Sequence, residues 1–244
     1  MPSIRELLGR IQHYPPLLGD CLLCHQATQC HSLLCNECHA ELPRIVHPCP
    51  RCGFPLPEAG NLCGSCLQHP PAWDRLRIVA DYQAPYLQLI HQLKYAGKIE
   101  CATLLGRLFC EASKTAPSEA GDKRPDVLLP VPLHWWRQWR RGYNQAEELA
   151  RVIGDTLQIP VDGHCLHRTR ATPPQARLHK QQRKENLQAA FAMTPSNYRH
   201  VALVDDVVTT GATAEQLTQL LRQAGVEVVE VWAICRTLRH PSRD

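Results

Sequence analysis

Eight cysteines in four Cys-x-x-Cys pairs, Cys21/Cys24, Cys35/Cys38, Cys49/Cys52 and Cys63/Cys66, recur every 14 residues with ten residues between successive pairs. Each such turn presents two sulfurs, half of a tetrahedral zinc site, so four pairs supply two closed four-thiolate sites, which are structural rather than catalytic. Equal spacing leaves two groupings open. Closure over ten residues is local and costs little chain entropy, which favours tandem pairing, first with second and third with fourth, over an interleaved cross-brace. Cys30, His25, His31, His39 and His47 lie among these ligands but break the repeat, and they read as surface loop residues. Thioredoxin-like redox chemistry needs one pair on a βα turn and would not account for four.

A second constellation lies at residues 201–213, VALVDDVVTTGAT, where an apolar strand runs into two adjacent carboxylates and then a Thr/Gly turn that opens a helix. Asp205 and Asp206 can accept hydrogen bonds from neighbouring sugar hydroxyls or hold the water shell of a metal such as Mg2+. Left without partners, two buried carboxylates would be costly. Thr209, Thr210 and Thr213 offer hydroxyls, Gly211 permits close backbone approach, and the turn's N–H groups with the helix N-terminus favour a phosphate dianion. A plain structural reading is available for the helix start, because Thr213 and Gln216 have capping-box spacing. It leaves the paired aspartates unexplained. Their mutual repulsion predicts that Asp206→Asn does not lower the stability of the unliganded protein. Neither GxGxxG nor GxxxxGK[ST] is present.

These residues need a scaffold, and the pattern around them supplies one. Strands are predicted at 75–82, 126–131, 200–204 and 226–234, and helices at 86–95, 100–112, 143–156 and 213–224, the last ended by Gly225. Residues 112–125 and 168–185 have no clean period and read as loops or frayed helix. Alternating strands and helices imply an α/β fold with a mostly parallel sheet, whose ligands bind at the carboxyl ends of the strands. QHPPAW at 68–73 marks a boundary, since its prolines force an extended turn where the cysteine repeat stops. Two domains follow, a zinc-binding module over 1–72 and an α/β domain over 73–240.

The 244 residues, 44% hydrophobic and 20% charged, describe a globular chain with a core poor in aromatics. No run approaches the roughly 18 apolar residues of a membrane span, and Arg5, Glu6 and Arg10 interrupt any signal-peptide core, so membrane insertion is excluded and a cytoplasmic location is expected. Residues 1–72 hold four Arg, no Lys and five acids. With eight thiolates and two Zn2+ their formal charge is about minus five, which suits a folding staple or a protein-docking face rather than a grip on phosphates. Basic charge gathers elsewhere. Residues 130–185 carry ten Lys/Arg against five acids, and residues 168–184 six against none. Beside them HWWRQWRRGY interleaves Trp135, Trp136 and Trp139 with Arg137, Arg140 and Arg141, the combination that single-stranded nucleic acid uses for backbone contact and base stacking. A non-catalytic module that binds single-stranded nucleic acid, DNA among the candidates, and is gated by a phosphoribosyl ligand is therefore the alternative reading, with Trp136 and Arg137 as contacts.

VALVDDVVTTGAT resembles the phosphoribosyl pyrophosphate (PRPP) loop of type I phosphoribosyltransferases. With LKYAGK at 93–98, PVPL at 130–133, RRGYNQAEELA at 140–150, QARLHKQQRKENL at 175–187 and the cysteine array, nearly the whole chain resembles the ComF/GntX family, whose members are linked to DNA utilisation and competence. The resemblance implies a phosphoribosyltransferase-like sheet behind a double zinc-ribbon-like module. Asp205 and Asp206 would meet the ribose hydroxyls, and Thr209, Thr210, Gly211, Ala212 and Thr213 the 5-phosphate. The turn from Pro132 would face pyrophosphate, with Mg2+ and the basic candidates Arg140, Arg141, Lys180 and Arg183 stabilising the leaving charge. Ala212 departs from the second Gly common in such loops. No catalytic base or base-recognition motif is assigned by the resemblance, so the acceptor stays open. The chain also resembles the transferase half of glutamine amidophosphoribosyltransferase, but residue 2 is Pro and no glutaminase domain is expected before the fold, so glutamine-driven chemistry is excluded.

Overall fold

The computed structural model describes residues 19–28, 33–115, 123–133, 141–169 and 190–238. The chain divides into two compact units, Met1–Pro43 and Arg44–Asp244. In the smaller one, strands β1 (Gly19–Asp20) and β2 (Ala27–Thr28) pair antiparallel, with Gly19 opposite Thr28. A one-turn helix α1 (Asn36–Ala40) follows, capped by the Cys35 sulfur, which accepts from the Cys38 N–H.

The larger unit begins with the second cysteine-rich segment and the short helix α2 (Gly64–Gln68). The sequence predicts one strand over 75–82. The structure breaks it into β3 (Arg75–Arg77) and β4 (Ala80–Asp81), both paired parallel to the same neighbour and separated where Ile78 and Val79 leave the ladder. Helix α3 (Tyr86–Tyr95) matches its expected bounds and buries Tyr86, Leu89, Ile90 and Leu93, one stripe at helical spacing. Helix α4 (Glu100–Thr115) runs three residues past its expected end. Strand β5 (Val127–Pro130), helix α5 (Gln145–Leu157), and an antiparallel pair that the sequence reading missed, β6 (Leu166–Arg168) with β7 (Phe191–Met193), come next. Strand β8 (His200–Val208), helix α6 (Ala212–Gln223) and strand β9 (Val228–Arg236) complete the unit.

The sheet is parallel throughout, in the order β3-β9-β8-β5 with β4 also on β9, as the α/β expectation requires. Both faces are covered, so residues 201–204 of β8 and 231–235 of β9 are continuous buried apolar runs rather than alternating ones. Val201, Leu203, Val229 and Val231 share one cluster with Leu217 and Leu221 of α6. Helices α4 and α5 pack on each other and reach β9 and β8 respectively. Phe109 of α4 lies 5.4 Å from Trp232 of β9, ring centre to ring centre. The two helices approach closely because residue 106 is glycine, where a Cβ would come within 2.7 Å of Val152.

Buried charge is confined and paired. Glu230 in β9 accepts from Arg77 Nε at 2.9 Å and Trp232 Nε1 at 2.7 Å, and His200 Nε2 lies 3.2 Å from its other oxygen. Burial alone would raise this carboxyl, but His200, Arg77 and Trp232 together hold it down at about 2. Among the described residues no helix is long and apolar enough to cross a membrane.

Candidate functional site

The sulfurs group in tandem. Cys21, Cys24, Cys35 and Cys38 form one cluster and Cys49, Cys52, Cys63 and Cys66 the other, the ligand atoms of each lying within 4.8 Å of one another. The first cluster belongs to the smaller unit and the second to the larger. Cys24 Sγ is 3.6 Å from Cys35 Sγ, and Cys52 Sγ is 3.4 Å from Cys63 Sγ, contacts that a shared cation would convert to ligand pairs. Backbone geometry prepares the thiolates. Burial raises the Cys21 thiol, yet the N–H groups of Cys24, Cys35 and Leu23 outweigh it and hold it at about 6. Cys49 is likewise held at about 7, burial being outweighed by the N–H groups of Cys63, Arg51 and Cys52. Cys52 goes the other way, pushed up to about 11 by burial and by Cys63 and Cys49 beside it. Four thiols this close ionise together only around a divalent cation. The donor set therefore fits structural zinc, and among the described residues no histidine enters either cluster; Cys30 and His31 lie outside the described residues.

The second cluster is wired into the α/β sheet. Leu76 N–H of β3 donates to Pro50 O at 2.7 Å, Trp73 Nε1 donates to Arg51 O at 2.8 Å, and Arg51 Nη1 donates to Asp74 O at 2.7 Å. From β9, Arg236 Nη1 donates to Cys52 O.

At the carboxyl end of the sheet, β8 runs to Val208 rather than stopping at residue 204, because it stays in register with β9 as far as Val208 opposite Arg236. Asp205 and Asp206 thus sit within the strand, near its carboxyl end. Asp205 is half-buried, and its Oδ1 accepts from the Asp206 N–H at 2.8 Å. Burial and then the neighbouring Asp206 charge raise the Asp205 carboxyl well above the ordinary value. Asp206 is buried, and Lys94 Nζ of α3 lies 2.6 Å from its Oδ2. That ion pair removes the basis for expecting Asp206→Asn to be harmless, since the substitution would leave Lys94 without its counter-charge.

The turn that follows exposes Thr209 and Thr210, and Gly211 adopts φ 79°, a conformation glycine reaches without strain. The capping box expected from Thr213 and Gln216 is absent. Gly211 itself is the N-cap, α6 starts one residue earlier, and no side chain caps it. Thr210 Oγ1 accepts from Ala212 N–H at 3.3 Å. Trp73 fills the space over Gly211, where a Cβ would meet its ring at 2.8 Å, and Glu215 Oε2 accepts from Ala72 N–H at 3.0 Å.

Two family-like stretches meet beside this end. Tyr143 of RRGYNQ donates its hydroxyl to Leu93 O of LKYAGK, and the Arg141 guanidinium lies 5.1 Å over the Tyr95 ring. Arg141 is thus near α3, while Arg140, Lys180, Arg183, Trp135, Trp136, Arg137 and Trp139 lie outside the described residues. So does the turn after Leu133, whereas Val131 bonds to Val204 O at 2.9 Å and holds the start of that turn against β8. Sequence reasoning misses Lys94, Trp73 and Arg236. LKYAGK is a signal for Lys94, Trp73 is visible only as part of the QHPPAW boundary, and nothing local marks Arg236.

Residues 13–67 match the model of a double zinc ribbon domain. The chain is 41% identical over 222 residues to the DNA utilization protein YhgH of Escherichia coli K12, covering 90% of this chain and 98% of that protein. It is 37% identical over 207 residues to Competence protein F of Haemophilus influenzae, covering 83% and 90%. Against Competence protein ComFC of Bacillus subtilis it is 27% identical over 208 residues, covering 79% of each. Among solved structures, a glutamine PRPP amidotransferase from Bacillus subtilis is 18% identical with a TM-score of 0.34, over 54% of this chain and 24% of that one. A hypoxanthine phosphoribosyltransferase from Trypanosoma cruzi is 13% identical with a TM-score of 0.31, over 57% and 65%. Identity at this level over nearly the full length of the relatives means that the chain belongs to the ComF/GntX family of DNA-utilisation and competence proteins.

Proposed function

We propose that the protein binds a ribose 5-phosphate compound of the PRPP kind, with Mg2+, at the carboxyl end of β8, and serves the utilisation or uptake of DNA in the cytoplasm as a phosphoribosyltransferase-type protein. The observation that carries this reading is the Asp205–Asp206 pair near the end of β8, followed after Val207 and Val208 by a hydroxyl-rich turn with a left-handed glycine and a helix that no side chain caps. Two carboxylates accept from a vicinal diol, and the turn's N–H groups and the hydroxyls of Thr209, Thr210 and Thr213 suit a phosphate. Ala212 leaves the backbone approach open.

Each residue has a task in this arrangement. Asp206 is pre-aligned by Lys94, whose Nζ lies 2.6 Å from its Oδ2 beside the incoming sugar. Asp205, with its raised carboxyl, becomes the better acceptor once a cation or a diol enters. Asp205 and Asp206 would hold Mg2+ together with the ligand, and the cation would supply charge stabilisation to the leaving pyrophosphate. The link to DNA rests on the names of the relatives, which are DNA utilization and competence proteins.

The direct test combines purified protein, PRPP and Mg2+. At about 100 times its dissociation constant the ligand stabilises the fold by roughly 2.7 kcal/mol, read as a raised melting temperature. Pyrophosphate release with candidate bases then separates transfer from binding. No thermal response to PRPP, to ribose 5-phosphate or to either with Mg2+ overturns the reading.

A further inference from the structure

Three consecutive carbonyls of the Cys49–Cys52 turn accept hydrogen bonds from the α/β sheet and its approach. Pro50 O accepts from Leu76 N–H at 2.7 Å, Arg51 O from Trp73 Nε1 at 2.8 Å, and Cys52 O from Arg236 Nη1. Gly53 follows at φ 74° and lies so close to the sheet that a Cβ there would sit 2.5 Å from Ile78 Cδ1. Among the described residues, the hydrogen bonds that join this turn to the Cys63–Cys66 turn use sulfur, Cys63 N–H to Cys49 Sγ at 3.4 Å and Cys52 Sγ beside Cys63 Sγ at 3.4 Å. Sulfur is a weak partner, so a cation shared by the four thiolates is the firm tie between the two turns.

Two of the three donors also grip the Thr/Gly turn after β8, one at each end. Arg236 stands opposite Val208 in the ladder, and the next residue, Thr237, donates its N–H to Val208 O at 3.0 Å, which fixes the start of the turn. Trp73 is buried and lays its ring against Gly211, and its neighbour Ala72 donates to Glu215 Oε2 at 3.0 Å, which fixes the end of the turn and the start of α6. A space of about 500 Å3, walled in part by Cys52, Cys63, Thr209, Thr210 and Arg236, gives the turn room to relax once this grip is lost.

We propose that occupancy of the Cys49/Cys52/Cys63/Cys66 site is a switch on the Thr/Gly turn. With zinc bound, the carbonyls of residues 50–52 are fixed and the turn is held in its ligand-binding form. With the site empty those carbonyls shift, Trp73 and Arg236 lose their fixed acceptors, and the turn loosens at both ends. The two sites are distinct and the chain of contacts between them is contiguous. The coupling is reciprocal, so a ligand on the turn also slows zinc loss from this site. Only the identity of that ligand rests on the phosphoribosyl reading above.

Hydrogen exchange reads the turn without a ligand. Its reporters are the amides of Ala212, Glu215 and Thr237, which donate to Thr210 Oγ1, Gly211 O and Val208 O. Full-length Cys21→Ser, carrying only the ion of the second site, exchanges like wild type at these amides. Chelating that ion speeds their exchange about five-fold or more while the amides of residues 201–204 stay protected, and zinc added back reverses the change. Cys63→Ser, which loses the second ion alone, behaves like the chelated protein. Trp73→Phe keeps both ions but cannot donate to Arg51 O, and it abolishes the zinc response at Ala212 and Glu215. Exchange that ignores the second ion, protection of residues 201–204 lost together with the turn, or a full response in Trp73→Phe would each overturn the switch. Ribose 5-phosphate is then the binding probe, and it binds the zinc-loaded Cys21→Ser chain about five-fold or more tightly than the chelated one. Equal affinity overturns control of the ligand by the metal. No binding to the loaded chain overturns the phosphoribosyl reading, while the exchange measurement still decides the switch.

Discussion

Lys94 Nζ lies 2.6 Å from Asp206 Oδ2, joining LKYAGK to the acidic pair of VALVDDVVTTGAT across the end of the sheet. The lysine side chain is 20% exposed and the aspartate 9%, so this pair is screened little by solvent. Asp205, next in line, meets burial and the Asp206 charge without a comparable partner. The two aspartates therefore respond to neutralisation in opposite ways.

Asp206→Asn and Lys94→Met each leave one charge stranded and are expected to cost about 1–3 kcal/mol at neutral pH. Asp205→Asn is expected to stabilise. A carboxyl raised in the folded state contributes stability below its unfolded value, which is lost as pH rises through the folded one. Wild-type protein thus loses stability on that rise, and Asp205→Asn does not. Melting temperatures of the three variants across mildly acidic to neutral pH check this, and equal behaviour of Asp205→Asn and Asp206→Asn would remove the asymmetry.

Metal loading separates the two ribbons. Purified under reducing conditions, the chain carries two zinc ions, and Cys21→Ser and Cys35→Ser each remove the same single ion, as do Cys49→Ser and Cys63→Ser for the other. Only the second loss lowers the melting temperature of the α/β sheet, because Leu76, Trp73 and Arg236 are bonded to that cluster's backbone. Elemental analysis of the variants, alongside thermal melts, reads both outcomes. Losses that pair Cys21 with Cys49 would contradict the tandem grouping.

Local signals made the cysteine clusters and the Thr/Gly turn after β8 legible. Ten-residue spacing favours tandem closure without fixing it, and the bounds of α3 follow from the stripe Tyr86, Leu89, Ile90 and Leu93. What stayed hidden depends on partners distant in sequence. Asp205 and Asp206 read as residues beyond the strand, but pairing with β9 carries β8 to Val208. Lys94 and Asp206 are brought together only by packing of α3 over the sheet. The capping box failed because Gly211, free to adopt φ 79°, starts the helix earlier. Strands β6 and β7 are three residues each, too short to leave a period.

Acid stability is expected to hinge on Glu230, whose carboxyl sits at about 2 against an ordinary 4.5. A depressed value contributes stability above the unfolded one that is lost as pH falls toward the folded one, so the window runs from about pH 4.5 down to about 2. The contribution is about 3 kcal/mol at neutral pH. Glu230→Gln should lower the neutral melting temperature and flatten this acid limb. Denaturant titrations at a series of acidic pH values provide the measurement, and an unchanged limb would place the acid sensitivity elsewhere.

The contact between Gly211 and Trp73 gives the last prediction. At φ 79° an alanine is strained, and its Cβ would sit 2.8 Å from the Trp73 ring, which is itself held by donation to Arg51 O. Gly211→Ala is therefore expected to cost about 1–3 kcal/mol, part as backbone strain and part as displacement of the ring. Trp73→Leu vacates the space, so the double variant should lose less than the sum of the singles. The backbone share remains in the double variant and the steric share does not. In ligand terms, Gly211→Ala weakens the thermal response to PRPP, because the turn's N–H groups shift with the ring, and the double variant regains part of it. Strict additivity in stability would show that the ring and the turn are not in contact, and would separate the second ribbon from the Thr/Gly turn.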